Sequence, residues 1–291
     1  MDPSREVAEA QRTPLLLQSL WGYGGDLQGA IARARRHGFD GLEANLRHPA
    51  LAALDPVAIA EQLQGAGLAL IVELVTGGDY VPDLTHGPDQ QLRELEQLLQ
   101  AAQALRPLRI TVITGSDSWP MLEQHAFLEQ AVQLAGASAP PVSFETHRSR
   151  SLFNPWSIAE LLERQPRLRL TADLSHWCCV SERLMEPELE PVQAIADRVD
   201  HIHARVGHAQ GPSVSHPFAP EAAPALEAHR RCWQLFLERQ RRRGHRPSTI
   251  TPEFGPDGYL PQLPFTAMPV ADLLEINAAM AAWIRQGGLN R

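Results

Sequence analysis

A chain of 291 residues with 44% apolar and 21% charged side chains has ordinary globular composition, which excludes a disordered or fibrous protein. The net charge of −8 offers no global basic field for a polyanion. All 26 basic residues are Arg, and the absence of Lys excludes a side-chain Schiff base, a lysine-anchored pyridoxal phosphate and a P-loop.

In chain order, residues 1–13 read as a polar N-terminal extension without the apolar core of a signal peptide. Short apolar runs then alternate with helical patterns. The expected strands are 15–20, 41–44, 68–75, 109–114, 142–145, 168–173, 201–206 and 249–253. The expected helices are 26–37, 55–65, 88–105, 120–136, 155–164, 189–198, 221–243 and 270–286. Asp26, Asp55 and Asn154 stand as N-caps, with Pro56 and Pro155 at the following positions. Leu92, Leu95, Leu98, Leu99 and Ala102 form one apolar stripe of the third long helix. Eight strand–helix units in one direction predict parallel strands joined by crossovers, and eight close naturally into a (β/α)₈ TIM barrel filling the chain as a single domain, 1–291. The rival, an open doubly wound sheet, lacks its fingerprint, because the first turn reads Trp21-Gly-Tyr-Gly-Gly-Asp26 without the required glycine spacing.

No run of about 18 apolar residues predicts a membrane span. Three Cys, two of them adjacent at Cys178 and Cys179, make no disulfide framework. A cytoplasmic enzyme without membrane or nucleic-acid partners is expected. The arginines of 239–246 end a helix, where cations complement its dipole.

The later strands end in polar residues: Glu145-Thr-His147-Arg148, Asp173-Leu-Ser-His176, His201-Ile-His203-Ala-Arg205 and Glu253-Phe-Gly. In a barrel these C-terminal ends converge on the rim that carries active sites. Three carboxylates cannot share a partly dry space as anions unless one is protonated or a cation sits among them. A divalent metal answers this, and a mixed carboxylate–imidazole set suits Mn²⁺, Mg²⁺ or Co²⁺, with Fe²⁺ or Zn²⁺ also open. His201 and His203 share a strand face; His203 lies nearer the rim and is the favoured ligand.

This order of Glu, Asp-x-x-His, His-x-His and Glu on the last four strands resembles the xylose isomerase-like barrel superfamily, from the second-strand Gly38-Phe-Asp-Gly-Leu-Glu-Ala44 to Glu253. The resemblance implies Glu145, Asp173, His203 and Glu253 as metal ligands and His176 as a substrate contact. Epimerases of the superfamily carry an Arg six positions after the ligand His, where Ala209 stands here; Arg205 or Arg148 could substitute. The segments 144–156 and 201–212 look like a subgroup described as sugar phosphate isomerase/epimerase-like. An apurinic endonuclease branch has further His ligands, but the corresponding stretches here, 75–79, 114–118 and 207–211, do not supply them.

The expected activity is therefore a metal-dependent isomerase or epimerase of a small sugar-like hydroxy-carbonyl compound. Glu145 and Glu253 would take and return a proton beside the carbonyl, and one divalent ion would act as Lewis acid. His176, His147, Arg148 and Arg205 would hold substrate oxygens, Arg205 a phosphate or carboxylate. Trp21, Trp119 or Trp156 could stack on the sugar. A dehydratase of a keto-polyol uses the same parts, and a non-catalytic sugar- or metal-binding barrel is the remaining alternative. A homo-oligomer is expected by analogy with relatives. The Pro-rich stretches 207–224 and 254–269 follow the last two strands and could cover the mouth as lids.

Overall fold

Strict alternation along each strand sorts side chains between two environments. In the computed structural model, which describes residues 13–245, 247–256 and 258–290, the strands are β1 Leu15–Ser19, β2 Gly41–Asn45, β3 Ala69–Val75, β4 Arg109–Ile113, β5 Val142–Glu145, β6 Leu170–Ala172, β7 Val199–His203 and β8 Thr249–Thr251. All pair in parallel and in chain order, and β1 also pairs β8, Leu15 beside Thr249, so the sheet closes into an eight-stranded barrel. Except for Thr13, the expected N-terminal extension lies outside the described residues, as does Arg246.

Leu16, Leu42, Leu70, Val72, Leu74, Ile110, Val112, Phe144, Leu170, Ile202 and Ile250 belong to one apolar core between strands and helices. The alternate positions Glu43, Thr111, Ser143, Thr171, His201 and Thr249 hydrogen-bond with one another across the barrel interior. The helices are α1 Leu27–Arg36, α2 Pro49–Ala52, α3 Pro56–Ala66, α4 Pro88–Gln103, α5 Met121–Gly136, α6 Ile158–Arg164, α7 Leu174–Val180, α8 Glu190–Ile195, α9 Ala223–Arg242 and α10 Leu273–Arg285. Asp26 caps α1 by accepting from Gly29 N at 2.8 Å, and Asp55 caps α3 by accepting from Val57 N and Ala58 N. Asn154 accepts from Trp156 N, but the turn it opens is a 3₁₀ turn, Pro155–Ser157, leading into α6. The α4 stripe buries Leu92, Leu95, Leu99 and Ala102, with Leu98 half-buried. Two short helices, α2 and α7, were not expected; α7 starts on the residue after Asp173.

At the opposite end from the polar rim, Asp200 of β7 gathers cations. Arg169 grips it through Nε and Nη2 at 3.0 and 2.6 Å, Arg243 donates Nη1 at 2.7 Å, and Arg109 lies 3.7 Å away. The basic end of α9 is thereby divided. Arg239 pairs with Asp197, Arg242 with Glu238, and Arg243 turns inward. Burial alone would raise the Asp200 carboxyl, yet Arg169, His245 and Arg109 hold it at about 2, below its ordinary 3.8. A depressed carboxylate stabilises the fold above its unfolded pKa and loses that contribution as pH falls through the folded one. Urea unfolding between pH 4 and pH 2 should therefore lose about 2 kcal/mol attributable to this group, a component absent from Asp200→Asn.

Candidate active site

The interior layer nearest the rim is built on a carboxylate with no charged neighbour on its own strand. Glu43, 2% exposed in β2, lies with Oε2 2.9 Å from His201 Nε2 and Oε1 3.1 Å from His203 Nε2. Thr251 Oγ1 donates to its Oε2 and Thr111 Oγ1 to its Oε1. His201 is fixed from behind by Thr249, whose Oγ1 is 2.7 Å from Nδ1. The two histidines of β7 therefore share one carboxylate but stand at different depths, and only His203 extends its other nitrogen toward the rim.

That nitrogen, Nδ1, lies 3.0 Å from Glu253 Oε2 and 3.6 Å from Glu145 Oε2. Asp173 completes the group: one donor atom from each of Glu145, Asp173, His203 and Glu253 lies within 4.8 Å of the others, and all four residues are buried. These are the four residues that the strand ends single out in the sequence. Thr146 aligns two of the ends by donating Oγ1 to Asp173 O and accepting from Asp173 N, both at 2.9 Å. Asp173 is also the N-cap of α7, its Oδ1 accepting from Ser175 N at 2.9 Å, while its Oδ2 accepts from Arg205 Nη2. Glu145 Oε2 and His203 Nδ1 are buried without a hydrogen-bond partner. Two such orphaned atoms beside two further carboxylates are the donor chemistry a divalent cation requires, so this set fits a metal ion. Glu43 would then be the carboxylate on the far nitrogen of the ligand imidazole, the usual arrangement behind a metal-bound histidine.

The protonation of this group follows from burial set against mutual charge. Burial would lower the His203 imidazole, but Glu253, Glu43 and Glu145 outweigh it and hold it well above its ordinary value. Burial would raise Glu43, which His201 and His203 instead hold well below the usual carboxylate range. For Glu145 burial prevails over His203, and its carboxyl is pushed up to about 7. His176 and His147 are driven well below their ordinary values, mainly by burial, with nearby Arg205 acting in the same direction. Both imidazoles are therefore neutral.

Above the group opens a cavity of about 420 Å³, lined among others by Trp21, Glu145, His147, Arg205 and Glu253. His176 Nε2 lies 3.7 Å from both Glu145 Oε1 and Asp173 Oδ2, and its ring is 4.0 Å from that of His147. Arg205 is buried and already engaged: Nη2 bonds Asp173 Oδ2 and lies 2.8 Å from His176 Nε2, while Nε donates to Ser175 Oγ at 2.9 Å. Its guanidinium also sits 4.6 Å from the Tyr259 ring centre. Arg148 lies over the same ring at 4.9 Å and donates to Cys179 Sγ at 3.5 Å. Of the three tryptophans expected to stack on a sugar, Trp21 lines the cavity. Trp119 packs edge-on against Phe127, and Trp156 is exposed beneath Arg183.

Several groups at this site were not singled out in the sequence. Glu43 and Glu73 each interrupt an apolar strand, and a carboxylate at an inward position of a buried strand is the signal that would have found them. Tyr80 and Tyr259 arrive on loops after β3 and β8, where the sequence carries no comparable signal. Replacing Glu43 with Gln leaves one of two buried imidazoles facing an amide N–H₂ donor in place of its acceptor. Glu43→Gln should cost about 3 kcal/mol of stability in chemical denaturation and lower the His203 imidazole pKa followed by NMR.

Residues 31–220 match the family described as xylose isomerase-like TIM barrel. No match is found among curated proteins. Among solved structures, a xylose isomerase-like TIM barrel protein from Mycobacterium smegmatis, in complex with magnesium, is similar at a TM-score of 0.63 and 17% identity, covering 94% of this chain and 96% of that one. D-Allulose 3-epimerase from Methylomonas sp., in complex with D-allulose, gives 0.60 and 16% over 95% and 97% of the two chains. A probable 3-DHS dehydratase from Bacillus anthracis gives 0.59 and 15% over 94% and 99%. Likeness at these identities establishes the shared architecture, and the match over residues 31–220 establishes the lineage: the chain belongs to the xylose isomerase-like TIM barrel family.

Proposed function

We propose that the protein is a divalent-metal-dependent isomerase or epimerase of a small sugar-like hydroxy-carbonyl compound. The observation that carries this reading is the convergence of Glu145, Asp173, His203 and Glu253, two of their buried atoms lacking partners, beside a cavity of about 420 Å³ that Glu145 and Glu253 line. A bound divalent ion, Mn²⁺, Mg²⁺ or Co²⁺ by the donor set, would supply Lewis-acid polarisation of the substrate carbonyl.

The chain's own residues divide the remaining work. Glu145 and Glu253 come from β5 and from the residues just beyond β8, and they take and return the proton at the carbon beside the carbonyl. Neutral His176 and His147 hold substrate hydroxyls. Arg205 and Arg148, joined across Tyr259, hold an anionic or strongly polar end; with no Lys in the chain, such recognition falls to Arg. Trp21 and Tyr259 cover an apolar face of the substrate and exclude water. Structures similar to this chain include a magnesium complex and a sugar epimerase, which supports both halves of the reading. A dehydratase on the same parts is the second reading, supported by the similar fold of a probable dehydratase and by a further carboxyl in the cavity wall.

Metal analysis after purification without chelator and repletion with Mn²⁺ should find about one ion per chain, lost in both Glu145→Gln and Asp173→Asn. With metal restored, a panel of ketoses and keto-acids in deuterated water should include one that exchanges its C–H beside the carbonyl. Glu253→Gln should slow that exchange by about 10²–10⁴-fold. Absence of metal in the wild type, or unchanged exchange in both glutamate variants, would overturn the proposal. Three zinc ions per chain would instead favour nucleic-acid hydrolysis.

A further inference from the structure

Three arginines meet at the base of the barrel, and the one carboxylate among them serves them unequally. Asp200 Oδ1 accepts from Arg169 Nη2 at 2.6 Å and from Arg243 Nη1 at 2.7 Å and Nη2 at 2.6 Å, and Oδ2 accepts from Arg169 Nε at 3.0 Å. Arg169 Nη1 donates to Asp197 O at 3.1 Å, so each of its nitrogens has an acceptor. Arg109 is left over: its Nη1 lies 3.7 Å from Asp200 Oδ2, beyond hydrogen-bond reach.

Arg109 opens β4. Ile110 beside it belongs to the outer apolar core, so the Arg109 side chain points into the barrel, where it is 3% exposed. Its Nη2 donates to His245 Nε2 at 3.0 Å, while Nε and Nη1 are buried without a hydrogen-bond partner, as is Nε of Arg243. The charges do not balance either. Three guanidinium groups face Asp200, and the neighbouring Asp197 carboxylate pairs with Arg239 at 3.5 Å. Burial lowers the Arg109 pKa, Asp200 opposes that, and Arg243 and Arg169 act with burial. A guanidinium stays protonated under such pressure, so the cluster holds an excess of positive charge and of unanswered N–H donors.

We propose that this end of the barrel is an anion-binding site, and that its ligand is a single-atom inorganic anion of chloride's size, held by Arg109 and Arg243 through those donors. The site lies at the opposite end of the strands from the candidate active site and does not rest on the activity proposed there. Arg109 and Asp200 are nearly enclosed, at 3% and 6% exposure, which favours one atom over a tetrahedral oxyanion. Asp200 also repels an incoming anion, and that repulsion grows in proportion to the anion's charge. An anion on these donors ties the first residue of β4 to the turn between α9 and β8, so it braces the last strand against the barrel. The arginines come together only in the folded chain, and binding there therefore adds to stability.

The test follows urea unfolding of the full chain at neutral pH while chloride replaces gluconate at constant ionic strength, so that general screening stays fixed. In the wild type the folding equilibrium constant should rise with chloride, approaching about tenfold per tenfold in concentration above the dissociation constant. Arg109→Met should lose that dependence. Wild-type crystals soaked in bromide should show an anomalous peak within hydrogen-bond distance of Arg109 and Arg243, which tests the site even if the variant fails to fold. Bromide at exposed arginines alone, or a chloride slope unchanged in Arg109→Met, would mean an adventitious ion only and would overturn the site. Loss in Arg109→Met of stabilisation by phosphate rather than by chloride would overturn the single-atom assignment.

Discussion

Like charges forced together out of water govern this molecule. Glu145, Asp173 and Glu253 bring three carboxylates to one buried place, and at short range in a low dielectric such anions repel strongly. The chain answers with cations arranged in depth. His203 stands among them, drawn toward protonation by the acids around it; Arg205 clamps Asp173 from the side; Glu43 braces the imidazole from below. Each compensating group is itself buried and hydrogen-bonded, so moving one disturbs the next. The divalent cation proposed for this site would join the same balance.

This arrangement shapes the barrel below it. An interior with a carboxylate, an imidazole and several hydroxyls is costly to bury, and nearly every polar group there finds a partner on another strand. The apolar surface that drives folding lies instead in the shell between strands and helices, where Trp233, Phe236 and Met280 are fully enclosed. Stability and chemistry thus occupy opposite faces of the same strands. At the far end, Asp200 and its arginines close the barrel with a second ionic cluster whose signs are reversed: one acid among several bases.

Much of this was readable from residue order. Alternation and turn residues give the eight strands to within a few residues, because each strand buries both faces and each break carries Gly, Pro or Asp. The quartet is legible for a related reason: Glu145, Asp173 and Glu253 sit where apolar runs stop, and strand ends of a barrel meet. Glu43 was harder. It sits inside a strand whose neighbours suggest only core, and its partners His201 and His203 are more than 150 residues away in sequence. Arg205 was placed as a free substrate contact, whereas the structure engages it with Asp173, a pairing that depends on α7 beginning at once after β6. At seven residues, that helix is too short to show a helical period in the sequence. Trp119 and Trp156 show the limit of composition: an aromatic near a strand end is not thereby in the cavity.

The pairing of β1 with β8 has a consequence in time. Trp21 follows the first strand and Glu253 the last, and both line one cavity. Local contacts cannot assemble that cavity, since the two walls are separated by nearly the whole chain and meet only when the ring shuts. Such distant pairings form late, after the loop-closure entropy of the intervening chain has been overcome. As the chain emerges from the ribosome, Glu43 stays hydrated until β7 delivers its two histidines. A barrel lacking only its last strand would already own Glu145, Asp173 and His203, yet it would hold a gap where Glu253 belongs. On the proposed function, metal binding would therefore report that the ring has closed.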